Sequence, residues 1–252
     1  MHSIDSDVRK NRRVYSASIK TLIAIISCKA HSGYRAAVRE TWFPKVSKDN
    51  ADAFFFMGRE AEVTEQDEIV LDSCGDDYGS LPSKVQSIIR WALEKGYTNL
   101  VKIDNDVVLK VSEFFHSGFE QWDFAGHTNN DKAAVKIPWG FCYTLSRKSM
   151  EIMANAPLPH DFNDEAWCAN TLAAHGILLH HEPRYVLHRG KRSDFIVPTK
   201  RPLRAPPRTL PMEEETSRDA IATCIFLHHF GYHATPDDVN IKEYHKMFKE
   251  TQ

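Results

Sequence analysis

No stretch of this 252-residue chain stays apolar for the roughly 18 residues that crossing a bilayer requires. The most apolar early run, Leu22–Cys28, is only long enough for a strand. The polar residues before it (Asp5, Asp7, Arg9, Lys10, Arg12 and Arg13) suit neither a signal peptide nor a membrane anchor. A surplus of one charge is also missing. With 32 basic and 34 acidic residues the net charge is −2, so any electrostatic argument must rest on local clusters. Cysteine is scarce: the five stand at 28, 74, 142, 168 and 224, an odd number with no C-x-x-C pair, which argues against a close-spaced zinc site. Cys28, Cys142 and Cys168 fall in apolar or helical segments and are expected as buried free thiols. With no leader or anchor, these thiols point to a reducing compartment, the cytoplasm, and to no membrane partner. No internal repeat is present.

What the sequence does have is alternation of strand and helix patterns. Residues 1–20 form a polar arm. Leu22–Ser27 is a continuous apolar run, as a parallel strand covered on both faces requires. Tyr34–Trp42 has helical character, and Ala53–Met57 and Glu68–Leu71 read as further strands. Val85, Ile88, Ile89, Ala92 and Leu93 mark one face of a helix, with Pro82 in its first turn and Gly96 at its stop. Leu100–Ile103 is another buried strand, followed by Phe124–Gly126 and Gly140–Leu145. Ser146 suits the N-cap of a helix over Arg147–Asn155. Asp164–His175 reads as helix, with short strands at Ile177–His180 and Tyr185–His188. Such alternation predicts an α/β fold with an open, mostly parallel sheet flanked by helices, in one domain over residues 21–190. Ligands of such sheets bind beyond the carboxyl ends of the strands.

Composition changes near Pro183. Pro183, Pro198, Pro202, Pro206, Pro207 and Pro211 accompany Arg184, Arg189, Lys191, Arg192, Lys200, Arg201, Arg204 and Arg208. This predicts an extended basic segment, placed at 191–212, and then a C-terminal helical extension over 213–252 with a helix from about Glu213 to Phe230.

Candidate chemistry lies just after the strands. Asp104-Asn105-Asp106 follows an apolar strand, and paired carboxylates there can hold a hard divalent cation such as magnesium or manganese. The same tripeptide is also ordinary turn chemistry. Asp164-Glu165 opens a helix, where the dipole favours carboxylates without any function, or where one of them can serve as a general base. His188 is a candidate third metal ligand beside Arg189 and Lys191. Arg35 and Arg39 share one helix face after the first strand and could clamp a diphosphate, or form ion pairs with Glu40 or its neighbours.

Together these pieces resemble the β-1,3-galactosyltransferase family, with its N-acetylglucosaminyltransferase and Fringe-like relatives. Arg35–Trp42 (RAAVRETW) is similar to the family's R-x-A-I-R-x-T-W, and Phe55–Gly58 to its F-x-x-G. Asp76–Lys84 (DDYGSLPSK) resembles D-x-Y-x-N-L-T-x-K, and Lys102–Val108 (KIDNDVV) resembles K-x-D-D-D-V-F. Gly140–Ser146 (GFCYTLS) resembles G-x-x-Y-x-x-S, and Asp164–Ile177 overlies the helix E-D-V-x-x-G-x-x-L-x-x-x-G-I.

The resemblance implies a GT-A fold that uses a UDP-sugar donor, manganese (or magnesium) and inversion at the anomeric carbon. It implies metal-binding roles for Asp106, Asp104 and His188, and donor contacts from Arg35, Arg39, Lys84, Asp104 and Asn105. The base falls on Glu165 or Asp164, because this chain reads D-E where the family reads E-D. Cys168 and Ala169 replace the family's glycine region, on the acceptor side. Animal members carry an N-terminal anchor; this chain resembles a soluble microbial or viral version, the latter placed in host-cell cytoplasm. The expected reaction moves a hexose to a hydroxyl on a glycan or other acceptor. Two alternatives stay open. The basic stretch 184–208 could bind nucleic acid and direct transfer to a hydroxymethylated base, or the chain could be a non-catalytic nucleotide-sugar or glycan-binding module.

Overall fold

Thr21–Ile26 (β1) is buried along its whole length because both of its faces are covered. Ile23 and Ile25 join one apolar cluster, whereas Leu22, Ala24 and Ile26 join another on the opposite side. Alternate side chains of a strand leave by opposite faces, so an unbroken apolar run needs a helical layer on each side. The computed structural model describes residues 20–47, 51–128, 132–161, 163–185 and 226–228. Among these, the first layer holds α1 (Ser32–Glu40), whose Ala37 and Val38 reach the cluster of Ile23 and Ile25. Trp42 follows it, fully buried, and donates from its indole nitrogen to the Val107 carbonyl at 2.8 Å.

Strands β2 (Ala51–Gly58) and β3 (Glu68–Leu71) extend the sheet in parallel from β1. Helix α2 (Leu81–Glu94) then crosses the second face. Pro82 stands in its first turn, and Gly96 ends it in the left-handed conformation that glycine adopts without steric cost. β4 (Asn99–Asp104) returns on the other side of β1, again parallel. After a two-residue turn the chain leaves the sheet as β5 (Val107–Leu109), followed by α3 (Val111–Phe115). β6 (Phe124–Gly126) and β7 (Cys142–Ser146) complete the centre of the sheet, and β7 runs antiparallel to both β4 and β6. α4 (Arg147–Asn155) starts where expected, with Ser146 accepting from the Ser149 amide, and α5 (Asp164–Ala174) is capped by the Asn163 side chain. β8 (His180–His181) closes one edge, giving the order β3-β2-β1-β4-β7-β6-β8. The sheet is therefore mixed but mostly parallel and is flanked by helices, as the sequence pattern predicts.

Two expectations need correction. The strand expected over Ile177–His180 is confined to His180–His181; before it the chain is non-repetitive, and Ile177 and Leu179 serve as core residues instead. The helix expected as far as Phe230 is not what the chain forms at 226–228. There β9 (Phe226–His228) pairs antiparallel with β5, with Leu227 opposite Val108. A helical reading of FLHH in isolation misses this because a three-residue strand leaves no periodicity to detect. The polar arm up to residue 19, the basic segment 191–212 and most of 213–252 lie outside the described residues.

Cys74, Cys142 and Cys168 are buried free thiols and Cys28 is half-buried; Cys224 lies outside the described residues. Among the described residues no helix is long and apolar enough to cross a membrane.

Candidate active site at the end of the central strands

Because β7 runs opposite to β4, its beginning lies beside the end of β4: Cys142 sits opposite Ile103, and the Asp104 amide donates to the Phe141 carbonyl at 3.0 Å. The chain after β1, the turn after β4 and the residues before β7 therefore gather at one end of the sheet, where ligands of α/β folds bind. Candidate groups for chemistry come to this place.

The acidic turn is built by its middle residue. Asn105 is buried and its amide donates to Ser27 Oγ at 3.0 Å, with His31 Nδ1 at 3.2 Å. The amide of Asn105 is thus spent inside the protein, fixing the turn against the end of β1 while Asp104 and Asp106 flank it. Asp104 is held differently. Its Oδ1 receives a hydrogen bond from Lys102 Nζ at 2.7 Å, and Lys102 is almost fully buried. Burial alone would lower the pKa of this ammonium, but Asp104, Asp164 and Glu165 together outweigh that and raise it, so it stays charged.

The three cations expected at the donor side prove to be committed within the fold. Arg35 is buried; it donates to Glu68 at 2.9 Å, to Ser27 Oγ at 3.1 Å and to the Cys28 carbonyl at 2.6 Å. Arg39 binds Asp67 with two donors and Glu68 with one, partners that lie on and just before β3. These bonds overcome the burial of Glu68 and bring its pKa down to about 2. Lys84 donates to the Ser27 carbonyl at 2.8 Å and to Asp76 at 2.9 Å. Asp76 in turn accepts from the amides of Gly58 and Lys29, at 2.6 Å and 2.5 Å. Gly58 permits this approach, since a Cβ there would fall 2.2 Å from the Gly75 carbonyl oxygen. Arg35, Lys84 and Asp76 thus shape the loop after β1 that faces the acidic turn.

Asp164 and Glu165, adjacent in sequence, have different surroundings. Asp164 is fully buried; its Oδ2 accepts from the Tyr143 hydroxyl at 2.8 Å, and its Oδ1 has no hydrogen-bond partner among the described residues. Glu165 is only half-buried and its carboxylate lies against Gly140. Burial, and then the charge of Asp164, raise the pKa of Glu165 to about 7, with Lys102 pulling the other way. A carboxyl poised near neutrality can take a proton, and one partly open to solvent can meet a substrate.

Sequence reasoning missed four residues here. His31 comes three residues beyond Cys28, and the rule that ligands lie after strand ends would have reached it; burial lowers its pKa, opposed by Asp106 and assisted by Arg35 and Lys84. Lys102 interrupts an apolar strand, a signal for a buried ion pair. Tyr78 is 72% exposed, and partial burial together with the charges of Glu165 and Asp104 raises its pKa. Gly140 carries no sequence signal beyond its place in the strand motif. His188 lies outside the described residues, as does the basic stretch beyond Tyr185. Arg184, where that stretch starts, is bound by two donors to Glu182 and by a third to the Ser117 carbonyl.

Residues 33–130 match the family model described as galactosyltransferase. The similarity to that family extends over this segment of the chain. That segment runs from α1 through the acidic turn and β6, so it includes Arg35, Lys84 and Asp104–Asp106 but stops short of Gly140 and Glu165. No curated protein sequence matches the chain. Among solved structures, a glycosyltransferase involved in the glycosylation of the major capsid of PBCV-1 is similar at 14% identity, covering 89% of this chain and 99% of that one, with a TM-score of 0.49. A putative nucleotide-diphospho-sugar transferase from Desulfovibrio desulfuricans G20 is similar at 11% identity, covering 64% of this chain and 79% of that one, with a TM-score of 0.41.

Proposed function

We propose that this galactosyltransferase-like chain transfers a hexose from a UDP-sugar to a hydroxyl acceptor by a single inverting displacement, with Glu165 as the base. The observation that carries the reading is the pairing of a half-buried carboxyl of pKa about 7 with an acidic turn at the same end of the sheet. In this reaction the acceptor hydroxyl gives its proton to Glu165 as its oxygen bonds to the anomeric carbon. The bond from that carbon to the diphosphate breaks, and its electron pair leaves with UDP. Asp164, sealed against Tyr143, supports the high pKa of its neighbour and does not meet the acceptor.

A divalent cation, manganese or magnesium, would be held by Asp106 with Asp104, and bound there it would neutralise charge developing on the leaving diphosphate. The donor set suits it: two carboxylates on one short turn are hard oxygen ligands. Asp106 is the carboxylate that the family resemblance makes the metal ligand, and Asp104 gives one of its oxygens, Oδ1, to Lys102. Among the described residues no group of three His, Cys, Asp or Glu side chains converges, so a third ligand would come from His188 or from the donor itself. Arg35 and Lys84 act by shaping the loop around Ser27, and Asn105 by locking the turn. The acceptor is a glycan or related hydroxyl compound.

The test is UDP release from a panel of UDP-hexoses by wild type and by Glu165→Gln. Turnover in the wild type and its loss in the variant, with donor binding retained, is the expected result. Donor binding by calorimetry with no turnover by the wild type on any acceptor would instead mark a non-catalytic binding module.

A further inference from the structure

The main chain at Gly140, two residues before β7, touches the candidate base. A Cβ placed on Gly140 would lie 1.7 Å from Glu165 Oε1, 2.9 Å from its Cδ and 3.5 Å from its Cγ, and these are its three nearest atoms. Real side chains do not tolerate the first of these separations. The backbone at Gly140 does not need glycine: the described glycines with positive φ are Gly96, Gly118 and Gly176. Room is what this position supplies. On its other side, the Gly140 carbonyl accepts a hydrogen bond from Lys102 Nζ, which also holds Asp104 Oδ1 at 2.7 Å. Asp104, Lys102, Gly140 and Glu165 therefore form one chain of contacts, from the acidic turn to the carboxylate.

We infer that Gly140 is a positioning residue: the missing side chain fixes where the Glu165 carboxylate stands, and Lys102 ties that place to the acidic turn. The inference deepens the proposed function and rests on Glu165 being the base. The alternative, that Gly140 is only a packing glycine, predicts a different response to one added methyl group. Because the obstructing atoms are the end of a flexible side chain, Gly140→Ala can fold by rotating Glu165 away, at little cost in stability.

The experiment is Gly140→Ala in the full chain. The thermal midpoint is expected within about 3 °C of that of the wild type. kcat for UDP-sugar turnover falls roughly 10²-fold, as a misplacement of about 1 Å does at a reacting centre, while KM for the donor changes less than about twofold. In the Gly140→Ala, Glu165→Gln double variant the loss is no greater than in Glu165→Gln alone, since both changes act on one carboxylate. A crystal structure of Gly140→Ala shows the Glu165 carboxylate displaced from its place beside residue 140. An undisplaced carboxylate, or wild-type kcat in Gly140→Ala while Glu165→Gln is inactive, overturns the inference and leaves the base assignment standing. Wild-type turnover in Glu165→Gln removes the base assignment instead.

Discussion

A carboxyl group can act as a base near neutral pH when its ionised form is made costly, and at Glu165 burial and the neighbouring Asp164 supply that cost. Among the described residues, Asp164, Lys102, Asp104, Tyr78, Tyr143 and Cys168 are titratable groups that interact with it. Turnover is therefore expected to rise with pH through about 7 and then level off, and a pH–rate profile of kcat checks this. Glu165→Gln should lose the rising limb and run roughly 10²–10⁴-fold slower, the usual contribution of a positioned base. Stability has the opposite sign. The folded-state pKa of about 7 lies above the ordinary 4.5, so the native state loses stability as pH climbs between those values. Denaturant titrations at pH 5 and pH 8 should show that slope in the wild type and a smaller one in Glu165→Gln. Sequence could not choose between Asp164 and Glu165, because adjacent helix residues point in directions about 100° apart and only the packed neighbours tell which is sealed. Nor could it show that Arg35, Arg39 and Lys84 find partners 33, 28 and 8 residues away.

At the scale of elements, the loop after β1 stands where it does because Lys84 of α2 and Asp76 staple it from beneath. Both side chains are nearly buried, at 3% and 8% exposure, so removing one leaves the other's charge stranded. Lys84→Met is expected to cost about 3 kcal/mol in equilibrium unfolding, near the lower end for breaking a buried ion pair, since two backbone amides still reach Asp76. A loss under about 1 kcal/mol would mean the staple contributes little. The long elements were readable in advance: the stripe on α2, the apolar run of β1, the Ser146 cap and the start of α5 all lie where local patterns put them. β5, α3 and β9 were not, being three to five residues each, too short for a period of 2 or 3.6 to declare itself. The antiparallel entry of β7, which brings Gly140 beside the acidic turn, also has no local signature, because strand direction is set by the connections between elements.

At the scale of the molecule, two sheets meet at the acidic turn. β4 ends in the large sheet at Asp104, and β5 begins the small one at Val107, where β9 supplies the partner strand. Residues more than a hundred positions downstream thus brace the strand that follows Asp106. Deleting residues 226–252 should accelerate amide hydrogen exchange in Val107–Leu109 and lower the thermal midpoint; unchanged exchange there would mean β5 is held by Trp42 and the core alone. The proposed reaction requires the acidic turn to grip a cation and a nucleotide diphosphate while Glu165 faces the acceptor. The measurement that tests it most directly is the initial rate of UDP release from UDP-hexoses with manganese, with excess chelator, and in Asp106→Ala. Release that needs manganese and vanishes in Asp106→Ala is the predicted result. Undiminished release in chelator, or in Asp106→Ala, would contradict it.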